Sequence, residues 1–294
     1  MRPGASCPRC FVVWPESLHD GAVTTPASPD QAARALLAFW RSAGVDMDEA
    51  EAVFTAPRGQ AATAREAPAA PKVHVPRLRP KTADSPVSAA QTLAAAAGTV
   101  AELRKAVEAF NGCALKATAR NTVFSDGVEG APVLIIGEAP GKDEDEQGKP
   151  FVGRSGQLLD RMLGFVGLDR STNVLISNTI YWRPPGNRDP TPGEILACLP
   201  FVERLIALSQ PKLLILTGKA AAHTVLKRED GVMKLRGRRL SYTREGLATP
   251  VNVMVMLHPA YLLRQPQQKR LAWADLLLAD TWLNELGAAR VSHS

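Results

Sequence analysis

The sequence predicts an α/β fold: an open, mainly parallel sheet flanked by helices. Four short apolar runs, residues 133–136, 173–177, 212–216 and 251–257, have the length and β-branched content of buried strands. Each is followed by a stretch of helical periodicity, the alternation that parallel strands and crossover helices require. With 294 residues, 45% of them apolar, the chain can also bury a large core in one or two domains.

The first part of the chain reads as accessory. Residues 1–27 show no apolar period, and residues 31–44 fit one short helix carrying Leu36, Leu37 and Trp40. Residues 55–86, rich in Ala, Pro, Thr and basic side chains, have the composition of a flexible linker. The expected division is therefore an accessory segment (1–54), a linker (55–86) and one α/β domain (87–290). An Ala-rich helix is expected from Ser88, broken at Gly98. Thr99 and Glu102 then offer a capping box for a second helix that runs to about Phe110 and stops at Gly112.

The first apolar run ends at Gly137 in a loop rich in glycine and acids, with Glu138, Asp143, Glu144 and Asp145 near the strand's carboxyl end. Phe151 is the one aromatic in this loop. Ser155 is read as the cap of a helix carrying Leu158, Leu159, Met162, Leu163 and Val166 at helical spacing. The loop is no phosphate cradle: it lacks the GxxxxGK[ST] order and is acidic. The second run ends at Asn178, before TIYWRPPGNRDPTP. Thr191, Pro192 and Glu194 then form a capping box for a helix expected to kink at Pro200. The third ends at Thr217 and Gly218, and a helix follows. The fourth ends at His258 in HPAYLLRQP, and residues 270–286 close the domain as an amphipathic helix with Leu271, Ala274, Leu278, Trp282 and Leu286 inward. Glu138, Asn178 and His258 thus all fall just past a strand's carboxyl end, where open α/β sheets bind ligands.

No apolar stretch is long enough to span a membrane, and the amino terminus lacks a signal-peptide pattern, so the chain reads as soluble and cytoplasmic. The net charge of +6 and pI of about 9.3 point to an anionic partner. Between Lys227 and Arg244, seven basic residues stand against two acids without an apolar face beside them. That favours nucleic acid over a membrane; the competing reading is a plain exposed basic face.

Three motifs, GEAPGKDEDEQGKPFVGRSGQLLDRML, SNTIYWRPPGNRDPTPGEI and LHPAYLLRQP, occur in an order that resembles the family 4 uracil-DNA glycosylases over about residues 107–283. The resemblance implies a monofunctional hydrolase that flips uracil out of DNA and cleaves its N-glycosidic bond, leaving an abasic site for base excision repair. It implies a uracil pocket of Gly137, Ala139, Phe151 and Asn178, with Asn178 reading N3 and O4 and Phe151 stacking on the base. His258 is expected to hydrogen bond to O2 as charge builds on the leaving base. Glu138 and Glu144 are the two carboxylates, Glu138 assigned to the uracil pocket and Glu144 to the water and sugar. Tyr261, Leu262, Leu263 and Arg264 resemble a wedge that fills the space of the flipped nucleotide. Arg183, Asn187, Arg188 and Lys219 are expected phosphate contacts, together with the basic stretch. A monomer acting on uracil-containing DNA is expected.

The cysteines depart from the family pattern. Its four iron–sulfur ligand positions read Phe110, Cys113, Trp182 and Cys198 here, so two thiolates have become bulky aromatics and no cluster or other cofactor is expected. Cys7 and Cys10, in CPRC, read as an exposed pair in the amino-terminal segment; the alternative is that a looping amino terminus donates them as two further ligands. The alternative functions are a non-catalytic module that binds uracil or abasic DNA, as a repair scaffold or polymerase accessory, and a hydrolase of free nucleotides. The basic stretch and the wedge argue against the last.

Overall fold

A computed structural model describes residues 85–288. The helix expected at residues 31–44, nearly all of the linker, Cys7 and Cys10 lie outside these residues. The first described helix starts at the end of that linker: Pro86–Ala96 (α1) has Ser85 as its N-cap and proline in its first turn. Val100–Ala109 (α2) follows, with the Thr99 hydroxyl accepting from the Glu102 N–H. The other half of the expected box is displaced by one residue, because the Glu102 carboxylate accepts from the Gly98 N–H at 2.7 Å.

Ser125–Gly127 (β1) leads into Val133–Gly137 (β2), and two helices, Lys142–Gln147 (α3) and Arg154–Gly164 (α4), carry the chain to Val174–Asn178 (β3). Pro192–Ser209 (α5) has the expected box at Thr191 and Glu194 and continues through Pro200 as one helix. Leu213–Thr217 (β4), Gly218–Leu226 (α6), Val232–Leu235 (α7), Leu240–Tyr242 (β5), Val251–Met256 (β6), Pro259–Arg264 (α8) and Lys269–Glu285 (α9) complete the domain.

The six strands form one sheet in the order β1-β3-β2-β4-β6-β5, with β3, β2, β4 and β6 parallel and the short edge strands β1 and β5 antiparallel. Every residue of β2, β3 and β4 is buried, as expected of strands covered on both faces. Leu134, Ile136, Leu175, Leu214, Leu216, Val253 and Val255 join one core with α1, α2, α5 and α6. Their neighbours Val133, Ile135, Ile176, Leu213, Ile215 and Met254 alternate with them and are equally buried. Each such side chain stabilises the fold by about 1.5–3 kcal/mol on burial.

The inward face of α9 differs from expectation. Ala272, Asp275, Leu276, Ala279, Trp282 and Leu283 are buried, while Leu271, Leu278 and Leu286 are half-buried and Ala274 is exposed. The stripe is turned because it includes a charge: Asp275, wholly buried, accepts two hydrogen bonds from the Arg236 guanidinium at 2.9 and 3.1 Å. Burial holds the Asp275 carboxyl up at about 6 in spite of that partner.

Candidate functional site

The chain leaves β2 toward β3 on one side and later adds β4 on the other, so strand order reverses beside β2. This is the place where open sheets form ligand crevices. A cleft of about 290 Å³ lies at the carboxyl ends, and Glu138, Ala139, Glu144, Phe151, Asn178, Arg188, His258 and Arg264 all line it. Three separate strands contribute to these walls.

Asn178 is the register partner of Gly137. The pair is locked past the end of the ladder: Thr179 N–H donates to the Gly137 carbonyl (2.9 Å), and Ile180 N–H and the Thr179 hydroxyl both donate to the Glu138 carbonyl (3.0 and 2.7 Å). A β-carbon on Gly137 would stand 2.5 Å from both the Asn178 Oδ1 and the Phe151 ring, so glycine lets amide and ring lie against bare backbone. Phe151 is itself unusual, a buried residue at φ 54°, a conformation costing a non-glycine residue about 1–3 kcal/mol. Its ring lies 5.5 Å from the His258 ring at 30°.

His258 caps α8, its Nδ1 accepting from the Ala260 N–H at 3.1 Å. Burial, and secondarily the Arg264 guanidinium, lower its pKa to about 4, so the imidazole is neutral at physiological pH. With Nδ1 an acceptor, the single proton sits on Nε2, which makes that nitrogen a donor. Glu138 is half-buried, and burial, followed by the nearby Asp189 carboxylate, raises its pKa. Glu144 is placed differently. Its Oε1 accepts from Val152 N–H (3.0 Å) and Gly153 N–H (2.9 Å), and its Oε2 from Gly141 N–H (3.1 Å). The carboxylate ties both ends of the loop together, and Gly153, not Ser155, is the N-cap of α4; Ser155 lies in the first turn and lines the cleft.

The expected DNA contacts are only partly brought together. Leu262 is wholly buried and is not presented to DNA, because α8 packs that side against α4. Tyr261 and Arg264 are exposed and Leu263 is half-exposed. Arg188 is engaged by both oxygens of Glu194 at 2.7 and 2.9 Å, which lowers that carboxyl to about 2. Arg183 donates to Asn187 at 2.7 Å, and Lys219 is exposed at the start of α6 without lining the cleft. The basic stretch also stands away from the cleft. Lys227 and Arg244 pair with Glu203, Arg228 with Asp230, Arg236 with Asp275, and Arg239 with Glu285. Five of its seven cations are thus neutralised within the domain. Among the lining residues, Asp189 and Pro190 were not anticipated; their place in the proline-rich segment after Asn178 was the only signal.

The four cluster positions do not fit an iron–sulfur group. Phe110 and Trp182 are buried with ring centroids 6.5 Å apart, Phe110 packs edge-on against Phe201 at 5.1 Å, and the Trp182 indole donates to Thr122 Oγ1 at 3.0 Å. Cys113 and Cys198 are buried and hydrogen-bonded to each other, which leaves two thiols where a cluster needs four. Among the described residues no group of three or more His, Cys, Asp or Glu is placed to hold a metal ion, and no helix is long and apolar enough to cross a membrane.

Residues 124–280, which hold the whole sheet and every lining residue of the cleft, match the profile of the Uracil DNA glycosylase superfamily. The chain is 38% identical over 159 residues to a Type-4 uracil-DNA glycosylase of Archaeoglobus fulgidus, covering 53% of this chain and 78% of that protein. It is 36% identical over 168 residues to the enzyme of the same name from Saccharolobus solfataricus (55% and 76%), and 34% over 174 residues to that of Pyrobaculum aerophilum (56% and 85%). Strand-end residues, cleft and relatives lead to one assignment: the chain belongs to the uracil-DNA glycosylase superfamily, and within it to the type-4 family.

Proposed function

We propose that the protein removes uracil from DNA by hydrolysing the bond between uracil N1 and the sugar C1′, leaving an abasic site. The observation that carries this reading is the convergence of Asn178, Phe151 and His258 on one cleft, with His258 a neutral donor. A base must leave the helical stack to reach such a cleft. There the Asn178 amide accepts from N3–H and donates to O4, while cytosine would set its amino group against the amide donors. The Phe151 ring stacks on the base. As the C1′–N1 bond breaks, negative charge spreads to O2, where the neutral His258 donates a hydrogen bond from Nε2–H.

The sugar becomes cationic and is captured by water. The geometry favours Glu138 over Glu144 for this step, reversing the division expected from the motif. Glu138 is the carboxylate without a bond to the loop backbone, and its raised pKa suits it to accept a proton. The water oxygen bonds to C1′, its proton passes to the carboxylate, and uracil departs with the electron pair of the broken bond. Tyr261, Leu263 and Arg264 are the proposed contacts on the DNA side, with Arg183 and Lys219 on phosphates. The packed aromatics at Phe110 and Trp182 support a protein that works without a cluster. A DNA substrate favours a nucleoid-associated, cytoplasmic location.

The test is incubation of the purified protein with a labelled uracil-containing oligonucleotide, followed by alkali. Wild type should give alkali-dependent cleavage, and Asn178→Ala and His258→Ala should each slow it about 10²–10³-fold, as loss of one preorganised group does. Binding without an abasic product would instead support the non-catalytic module.

A further inference from the structure

One arginine outside the motifs reaches a wall of the cleft through backbone. Arg170 stands in the turn between α4 and β3, and its side chain is mostly buried. Its Nη2 donates to the Phe151 carbonyl at 2.8 Å and its Nη1 to the Pro150 carbonyl at 3.2 Å. Nη1 also meets Asp126 Oδ2 of β1 at 2.9 Å, while Nε and Nη2 both donate to Asp160 Oδ1 of α4 at 3.0 and 2.8 Å. These five contacts match the five N–H groups that a guanidinium carries. The fork is therefore saturated, and its two carboxylate partners fix its plane.

The peptide it holds is the one with a reason to move. Phe151 is in the left-handed region, and Gly156 of α4 approaches its carbonyl so closely that any β-carbon there would collide with it. The conformation aims the ring between Gly137, Asn178 and His258. Left to itself, the peptide would relax toward negative φ and swing the ring away from the face on which a base stacks.

We propose that Arg170, clamped by Asp126 and Asp160, is the positioning residue that sets the stacking ring of the uracil pocket. This rests on the glycosylase reading above. It acts on binding of the base alone, so its signature is uniform loss of uracil affinity with the chemical step spared. Lysine cannot replace it, because an ammonium has three donors and no plane.

The experiment is a double-mutant cycle of Arg170→Lys with Phe151→Ala, read in three ways: affinity for free uracil by calorimetry, kcat and KM on a uracil-containing oligonucleotide, and the thermal midpoint. Arg170→Lys should weaken free uracil binding and raise KM by a similar factor, about tenfold, with kcat near wild type. In the Phe151→Ala background it should add nothing to either loss, although any change in midpoint persists. Asp160→Asn, which keeps the arginine, should give the same pattern at smaller amplitude and serves if Arg170→Lys does not fold. Undiminished uracil affinity in Arg170→Lys, or a loss that persists in full without the Phe151 ring, overturns the inference while leaving the enzyme intact. A wild type that neither binds free uracil nor releases it from DNA overturns the function reading instead, and the proposal with it.

Discussion

At the residue scale, the two ionisable groups of the cleft separate the pH dependence. His258 is neutral down to about 4, so it supplies its Nε2 donor throughout the physiological range. Glu138 has its pKa raised above 4.5 by burial and Asp189, and as a base it must be ionised. As pH falls, Glu138 therefore gains its proton before His258 does, and kcat/KM should decline with an acid limb centred above pH 4.5. Glu138→Gln should be slower and lose that limb, keeping a flat profile until His258 titrates near 4. A limb unchanged in Glu138→Gln would place the base elsewhere. Glu144 supports a different measurement. Removing its carboxylate orphans three backbone N–H groups, so Glu144→Ala should lower the unfolding free energy by roughly 3 kcal/mol in urea titration. Full loss of activity at unchanged stability would restore the water-activating role to Glu144.

At the element scale, what was legible followed periodicity. Strands β2, β3, β4 and β6 are largely apolar runs, and Glu138, Asn178 and His258, at the ends of β2, β3 and β6, stand at the cleft as their position at the carboxyl ends implied, whereas Thr217 and Gly218 at the end of β4 do not line it. Strands β1 and β5 escaped because three residues, SDG and LSY, carry no period. The face of α9 was misread because a buried aspartate is acceptable only with Arg236 beside it, a partner 39 residues away. Arg170 was invisible for the same reason: its partners lie 10 to 44 residues distant. Leu262 looked like a wedge because helical position, not composition, decides which of two adjacent leucines faces water. The packed rings of Phe110, Tyr181, Trp182 and Phe201 tie α2, the segment after β3 and α5 together. Trp182→Ala should therefore cost about 3–5 kcal/mol, measured by denaturant unfolding. Metal analysis of the purified full chain should find iron well below four atoms per molecule; four, lost in Cys7→Ser with Cys10→Ser, would show that the amino-terminal pair completes a site.

At the scale of the whole molecule, the cations of the described residues include two kinds. Most cations between Lys227 and Arg244 serve the fold through ion pairs, whereas Arg264 borders the cleft with no ion-pair partner among the described residues. Salt dependence of DNA binding distinguishes them. Arg264→Ala should weaken binding and reduce the slope of log K against log salt by about 1, while Arg228→Ala with Arg239→Ala, both ion-paired, should leave the slope nearly unchanged. Equal effects would return the basic stretch to the DNA surface.

The pairing of Gly137 with Asn178 makes the sheet a reading frame for chemistry. Side chains alternate between faces with a period of two, so one residue inserted into or deleted from Val174–Asn178 would carry the amide to the opposite face. Because Val174, Leu175 and Ile176 put buried apolar side chains on both faces of that strand, the slipped chain would still find a core. Base recognition in this domain is thus exposed to frameshift-like lesions to which its fold is comparatively indifferent, and the two properties should be lost separately.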